Sequence, residues 1–300
     1  VLTGPIAAVC VGVLLAGCTT TDEAVPEAPV DSKEGLNIGV SLSSPGLIAG
    51  SDPTEVSGAE VEIARAVAAQ LDPESAEMEI QWVPTEPDDA ADALASGDLT
   101  LLIGQFSGAQ LTEDIAWVGP YVTVDAGLLV RQKPTADDAS PTSVQAFDTV
   151  RSADDVADAA VCVVADSMAD GPKLPVGSVT VQHTATECEI GLRSGRYDAI
   201  AGDTLQLAGV QADQNITANY ELLLWSELET DEDVELPKEL LASEQYWIGV
   251  GAQDCAAAAS ALATVVDDGL LADAFASWED ATDASLQLAD TTELTTQYCK

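Results

Sequence analysis

Hydrophobic positions along the chain recur with two periods, and the two alternate. Leu36–Leu42 is a β-rich run broken by Ser43-Ser44-Pro45-Gly46. Val56–Leu71 then places Val61, Ile63, Ala64, Val67, Ala68 and Leu71 at helical spacing. Met78–Val83 is a strand, Asp88–Ala95 a short helix ended by Gly97, and Leu99–Ile103 an apolar strand before the polar loop Gly104–Glu113. An extended apolar segment, Val122–Val130, leads to a second alternating unit. That unit has a helix at Ala153–Ala157 and strands at Ala160–Val164 and Ser178–Val181. Tyr246–Gly251 is a late strand, and helices at Cys255–Val266 and Gly269–Trp278 close the chain. The pattern predicts an α/β fold, a parallel or mixed sheet covered by helices, with no solenoid repeat.

The densest stretch is Thr186–Val210. Glu187–Leu192 reads as a helix that Gly195 ends, Tyr197–Ala201 as a buried strand, and Thr204–Val210 as the next helix. Asp203 falls where that strand stops. Ligands of open α/β sheets gather at the carboxyl ends of strands, which makes Asp203 a candidate binding residue. The plainer alternative is that it caps the following helix.

Composition narrows the task by exclusion. The 300 residues are 47% hydrophobic, enough for one large domain or two modest ones. Fifty-two acids against ten bases give a net charge of -42, which disfavours nucleic acid and anionic membrane surfaces as partners. The acids are scattered, with short clusters at Asp88-Asp89 and Asp231-Glu232-Asp233, and none follows the calcium-loop pattern. No metal or cofactor is expected.

Val1–Gly17 is uncharged and apolar or small, like the core of an export signal. It ends in Leu15-Ala16-Gly17-Cys18, which resembles the bacterial lipobox, whose cysteine becomes the lipidated first residue. Residues 1–17 are therefore expected to be a signal peptide, and 18–33, with Pro26 and Pro29, a flexible tether holding the protein on the extracellular face of the membrane. Four other cysteines then remain: Cys162, Cys188, Cys255 and Cys299. An even count in an exported chain favours disulfides, with three pairings possible. Cys162–Cys188 and Cys255–Cys299 are favoured, since each pair falls within one region.

Several short motifs occur in an order that meets a known family. They are Leu36-Asn37-Ile38-Gly39-Val40, Ser57-Gly58-Ala59-Glu60-Val61-Glu62-Ile63-Ala64, Ala116-Trp117-Val118-Gly119-Pro120-Tyr121 and Leu128-Leu129-Val130-Arg131. Gly195-Arg196-Tyr197-Asp198-Ala199 followed by Asp203, and Tyr246-Trp247-Ile248-Gly249-Val250, complete the set. Over about residues 34–280 the chain resembles the solute-binding lipoproteins of polar amino-acid ABC importers, glutamate-binding proteins among them. The resemblance implies a two-lobed fold of the type II periplasmic-binding-protein kind. Lobe I would comprise 34–122 plus 246–300 and lobe II 123–245, joined by crossing strands near Tyr121–Asp125 and Gln245–Trp247. It also implies a small polar solute (an amino acid or amine), an ABC permease partner, a monomer, and membrane contact only through the lipid. By the same resemblance Asp203 takes the ligand ammonium, Ser167 its carboxylate, and Gln105, Phe106, Ser107 and Ser44 lie in contact loops.

One departure matters. Members that bind α-amino acids carry an arginine about six residues before the aromatic that Trp117 matches. Here the aligned positions are Leu111 or Thr112, and no Lys or Arg occurs between Arg65 and Arg131. A carboxylate in that pocket would lack its main counter-ion, at a cost of roughly several kcal/mol. Three readings follow: a ligand without a carboxylate, a base such as Arg151 or Arg193 supplied from elsewhere, or a degenerate fold acting as a surface sensor or partner module. An enzyme is disfavoured, because the lone His183 has no nucleophile or base at readable spacing.

Overall fold

The computed structural model describes residues 36–41, 44–50, 55–73, 79–85, 87–132, 147–212, 220–230, 234–282 and 286–299. The expected signal peptide, the tether and Cys18 lie outside the described residues.

β1 (Leu36–Val40) lies parallel between β2 (Ile80–Pro84) and β3 (Leu101–Phe106). Parallel neighbours need crossovers, and α1 (Ala59–Leu71) and α2 (Pro87–Ser96) provide them. α1 turns Val61, Ile63, Ala64, Val67 and Ala68 inward, the stripe its spacing predicts. It packs there against α5 (Cys255–Asp267) and α6 (Leu270–Thr282). Burial of each branched side chain in this layer contributes roughly 1.5–3 kcal/mol.

β4 (Ala116–Arg131) organises the molecule. It is 16 residues long, and its first part, Ala116–Asp125, pairs antiparallel with β9 (Ser243–Val250), which also borders β3. Its last part pairs with β7 (Ala199–Asp203) and β8 (Tyr220–Leu224). β7 continues in parallel to β5 (Ala160–Val164), and β5 to β6 (Ser178–Gln182). Helices α3 (Ala185–Ser194) and α4 (Thr204–Ala212) flank β7 in sequence. The path through the described strands is β2-β1-β3-β9-β4-β7-β5-β6, so β4 and β9 cross between two α/β halves. Pro120 sits where the β4–β9 register shifts between Val118 and Val122, an irregularity that accommodates a residue with no N–H to give.

Most elements fall where the periodicity places them, and the departures have local causes. β3 runs on to Phe106 instead of ending in a loop at Gly104, because both of its edges are occupied and Phe106 pairs with Trp247. The Ala153 helix is one 3-10 turn, Ala153–Val156. The pattern did not show β8, nor the short strands β10 (Gln287–Leu288) and β11 (Thr295–Gln297), which pair with β4. Gly195 does end α3, at φ 75, where a side chain would be strained.

Two disulfides join Cys162 to Cys188 and Cys255 to Cys299, the pairing that regional grouping favours. The first ties α3 onto β5. The second ties the C-terminal segment to α5.

The halves also touch through α4. A Cβ built on Gly209 would sit 1.9 Å from the carbonyl oxygen of Pro45, in the turn after β1. Only hydrogen permits that approach. Gly209→Val should therefore push α4 off the Pro45 turn and cost roughly 1–3 kcal/mol in overpacking. Small-angle scattering should show a larger radius of gyration for this variant. Unchanged scattering with unchanged melting would mean that the contact does not hold the halves together.

Candidate functional site

Where the two halves face each other, loops that follow strands supply most of the polar side chains. Gln105 comes from β3, Ser107 follows it as the cap of the 3-10 turn Gly108–Gln110, and Gln110 lies in that turn. Ser44 arrives from the turn after β1. The loop after β5 carries Asp166, Ser167, Met168 and Asp170, and β9 carries Glu244.

These residues line two cavities. One, of about 250 Å³, is bounded by Ser107, Gln110, Asp166, Ser167, Met168, Asp170, Glu239 and Glu244. The other, of about 310 Å³, is bounded by Ser41, Ser44, Gly104, Gln105, Gln110, Val164, Ala165, Asp166, His183, Thr184, Ala185 and Gln206. Gln110 and Asp166 belong to both, so the cavities adjoin there. A larger cavity of about 450 Å³ lies elsewhere, among α1, β1, β2 and α6.

Gln105 is the hub of the inner wall. Its backbone lies in the left-handed region at φ 62, uncommon for a residue with a long side chain. Asp166 on the opposite wall shares that conformation at φ 58. Such outliers concentrate at binding sites, where surrounding contacts over-determine them. The Gln105 backbone N–H donates to Glu60 Oε1 at 3.2 Å, and its Nε2 donates to Glu60 Oε2. Its Oε1 accepts from the Ser44 hydroxyl and, at 3.5 Å, from Gln206 Nε2. The Tyr121 hydroxyl also donates to Glu60. Burial pushes the Glu60 carboxyl up to about 7, and the hydrogen bonds from Tyr121 and Gln105 only partly offset it.

Asp203 ends β7 and is buried. Its Oδ1 accepts from the Met168 N–H at 2.9 Å and its Oδ2 from the Tyr246 hydroxyl at 2.7 Å. Burial raises its carboxyl to about 6, and the nearby Glu244 charge adds to the rise. The Asp203 hydrogen bonds run to the β5 loop and to β9, and it borders neither cavity.

The residues expected at the site divide accordingly. Ser44 and Gln105 line one cavity, Ser107 and Ser167 the other. Phe106 points the other way, as strand alternation requires, and its ring lies 5.8 Å from Trp117 in the core under α2. Asp203 stands behind the wall.

Among the described residues no Lys or Arg borders either cavity. Arg193 pairs with Glu189 at 3.4 Å, Arg151 is exposed beside Asp155, and Arg131 is buried against the Leu192 carbonyl. Glu244, Asp170, Glu239, Gln110 and Gln206 were not found by sequence reasoning. Glu244 lies 137 positions from its partner Ser107, and nothing local marks it.

A cleft between two α/β halves joined by crossing strands defines a two-lobed solute-binding protein of the type II periplasmic-binding-protein kind. The chain belongs to the bacterial extracellular solute-binding proteins, family 3, whose model matches residues 36–278. No curated protein sequence matches it. Among solved structures, the solute receptor for L-cysteine of Neisseria gonorrhoeae aligns at 19% identity and TM-score 0.60, covering 86% of this chain and 97% of that one. The cysteine-binding protein from Campylobacter jejuni aligns at 16% and 0.60, over 87% and 94%. A mutant of ArgBP from T. maritima aligns at 17% and 0.56, over 83% and 96%. At these identities the likeness is one of fold. The family is one of solute-binding proteins.

The buried acids make stability depend on pH. Both titrate higher when folded than when unfolded, so folding takes up protons. The stabilisation is complete below the unfolded carboxylate range and is lost as pH rises through about 6 for Asp203 and about 7 for Glu60. Each contributes at most roughly 3 kcal/mol, at about 1.4 kcal/mol per pH unit. Urea denaturation in high salt should find the protein more stable at about pH 5 than at about pH 8, and Glu60→Gln should flatten that difference. An unaltered slope in the variant would refute the assignment.

Proposed function

We propose that the chain is the lipid-anchored receptor of an ABC importer and delivers a small polar solute, an amino acid or amine, to a membrane permease. The observation that carries this reading is the pair of adjoining polar cavities at the strand ends of both halves, the place where ligands of α/β folds collect. The family supports an extracellular location. Cys18, as the lipidated residue following a signal at 1–17, would hold the receptor at the membrane as a monomer.

Ser44, Gln105, Ser107 and Ser167 supply the neutral contacts in this reading. Asp203 would meet an ammonium group only when the halves part and the Tyr246 hydroxyl turns away. The structural neighbours that bind amino acids make that class the natural first panel.

A second reading has one observation in its favour. Both Asp203 oxygens are satisfied within the chain, as they would be in a degenerate fold that serves as a surface sensor or partner module.

A thermal-shift panel of amino acids and amines separates the two. A receptor gains stability once ligand exceeds its dissociation constant, about 2.7 kcal/mol at one hundred times that value. Absence of any shift across the panel would favour the sensor. In cells, Cys18→Ser should release the protein from the membrane fraction into the medium. Retention of that variant at the membrane would refute lipid anchoring.

A further inference from the structure

The chemistry of the cleft narrows the solute further, on the premise that the protein is a solute receptor. Four carboxylates, Asp166, Asp170, Glu239 and Glu244, border the 250 Å³ cavity; among the described residues no Lys or Arg borders either cavity, and the His183 imidazole lies on the 310 Å³ one. Glu244 stands out among them. It projects from the crossing strand β9, and its Oε2 accepts the Ser107 hydroxyl. Its Oε1 accepts nothing among the described residues. Opposite, Gln206 borders the 310 Å³ cavity and carries a buried carbonyl oxygen, Oε1, with no donor among the described residues. Each of the two adjoining cavities therefore carries an acceptor that calls for an N–H donor.

We propose that the cleft takes an elongated organic cation, bearing two amine or guanidine groups and no carboxylate, with one charged end on Glu244. An ammonium or guanidinium at Glu244 makes a charge-assisted bond, about twice the strength of a neutral one. The second nitrogen reaches past Gln110 towards Gln206, satisfying the orphaned acceptor. A ligand carboxylate in the 250 Å³ cavity would be desolvated among like charges with no described Lys, Arg or His bordering it, which disfavours it strongly. A metal ion does not fit, since no group of three or more His, Cys, Asp or Glu among the described residues is arranged to hold one. Lys238 adjoins Glu239 in sequence but is exposed and borders neither cavity.

Cadaverine and lysine differ only in the α-carboxylate, so they form the deciding pair. Calorimetric titration of the full secreted chain should find cadaverine binding tighter than lysine by about tenfold or more, with glutamate weaker still. Glu244→Gln should weaken cadaverine by about tenfold while leaving the melting temperature close to the parent's. If that variant does not fold, Asp170→Asn and Glu239→Gln carry the same readout. Lysine or glutamate binding as tightly as cadaverine would overturn the inference and leave the receptor intact. So would a cadaverine affinity indifferent to the acidic variants. Failure of all three solutes to bind would remove the inference, while the receptor reading falls only if the wider thermal-shift panel is also silent.

Discussion

Two buried hydrogen bonds, each from a tyrosine to a carboxylate, fasten the halves of the molecule to the strands that cross between them. Tyr121 on β4 donates to Glu60 in α1, and Tyr246 on β9 donates to Asp203 at the end of β7. The rings lie 6.2 Å apart, centroid to centroid, because Val122 pairs with Tyr246 in the sheet. Burial raises both phenols well above their ordinary range, so they remain donors at any pH the protein meets. A half that tilts against the crossing strands must carry its acid's tyrosine with it or break the bond. The second course strips the buried acid of one of its donors, a penalty of roughly 1–3 kcal/mol. The crossing strands and the cleft walls are thus mechanically coupled through two side-chain bonds.

The same acids are tied to the cleft surface. Glu60 holds Gln105 by main chain and side chain, and Gln105 in turn gathers Ser44 and Gln206 from opposite walls. Asp203 holds the Met168 N–H, and with it the loop that presents Asp166, Ser167 and Asp170. Movement of either wall is therefore registered at a buried carboxyl whose proton affinity burial has raised. The overall charge of -42 acts on top of this coupling. Beyond about 10 Å ordinary salt screens it, so inside the cleft only the nearby acids count.

Architecture was legible in the sequence because burial imposes period. The α1 stripe and the short apolar runs of β1, β3, β5 and β7 are what a sheet covered by helices demands, and the motif order fixed their assembly. The serines and Gln105 were legible because they follow strands. Glu244 and Gln206 were not. Each lies far in the chain from the residues it faces, and neither breaks a local rule. Asp203 was found but its neighbours were not, since a strand-end acid looks the same whether it faces solvent, ligand or a tyrosine from a distant strand.

That ambiguity bears on how the cleft discriminates. An acid sealed behind the wall contributes field but no direct contact, whereas Glu244 keeps one oxygen open to the cavity and raises the Asp203 carboxyl by its proximity. A cation between the walls relieves the push that the Glu244 charge exerts on the Asp203 carboxyl. The relief is greatest for a ligand that brings positive charge and no negative charge. Where an arginine would have balanced a ligand carboxylate, this chain offers Leu111 or Thr112, and no described Lys or Arg borders the cleft to offset the repulsion of a zwitterion's acid end. Selectivity in this cleft therefore follows from what it lacks as much as from what it presents.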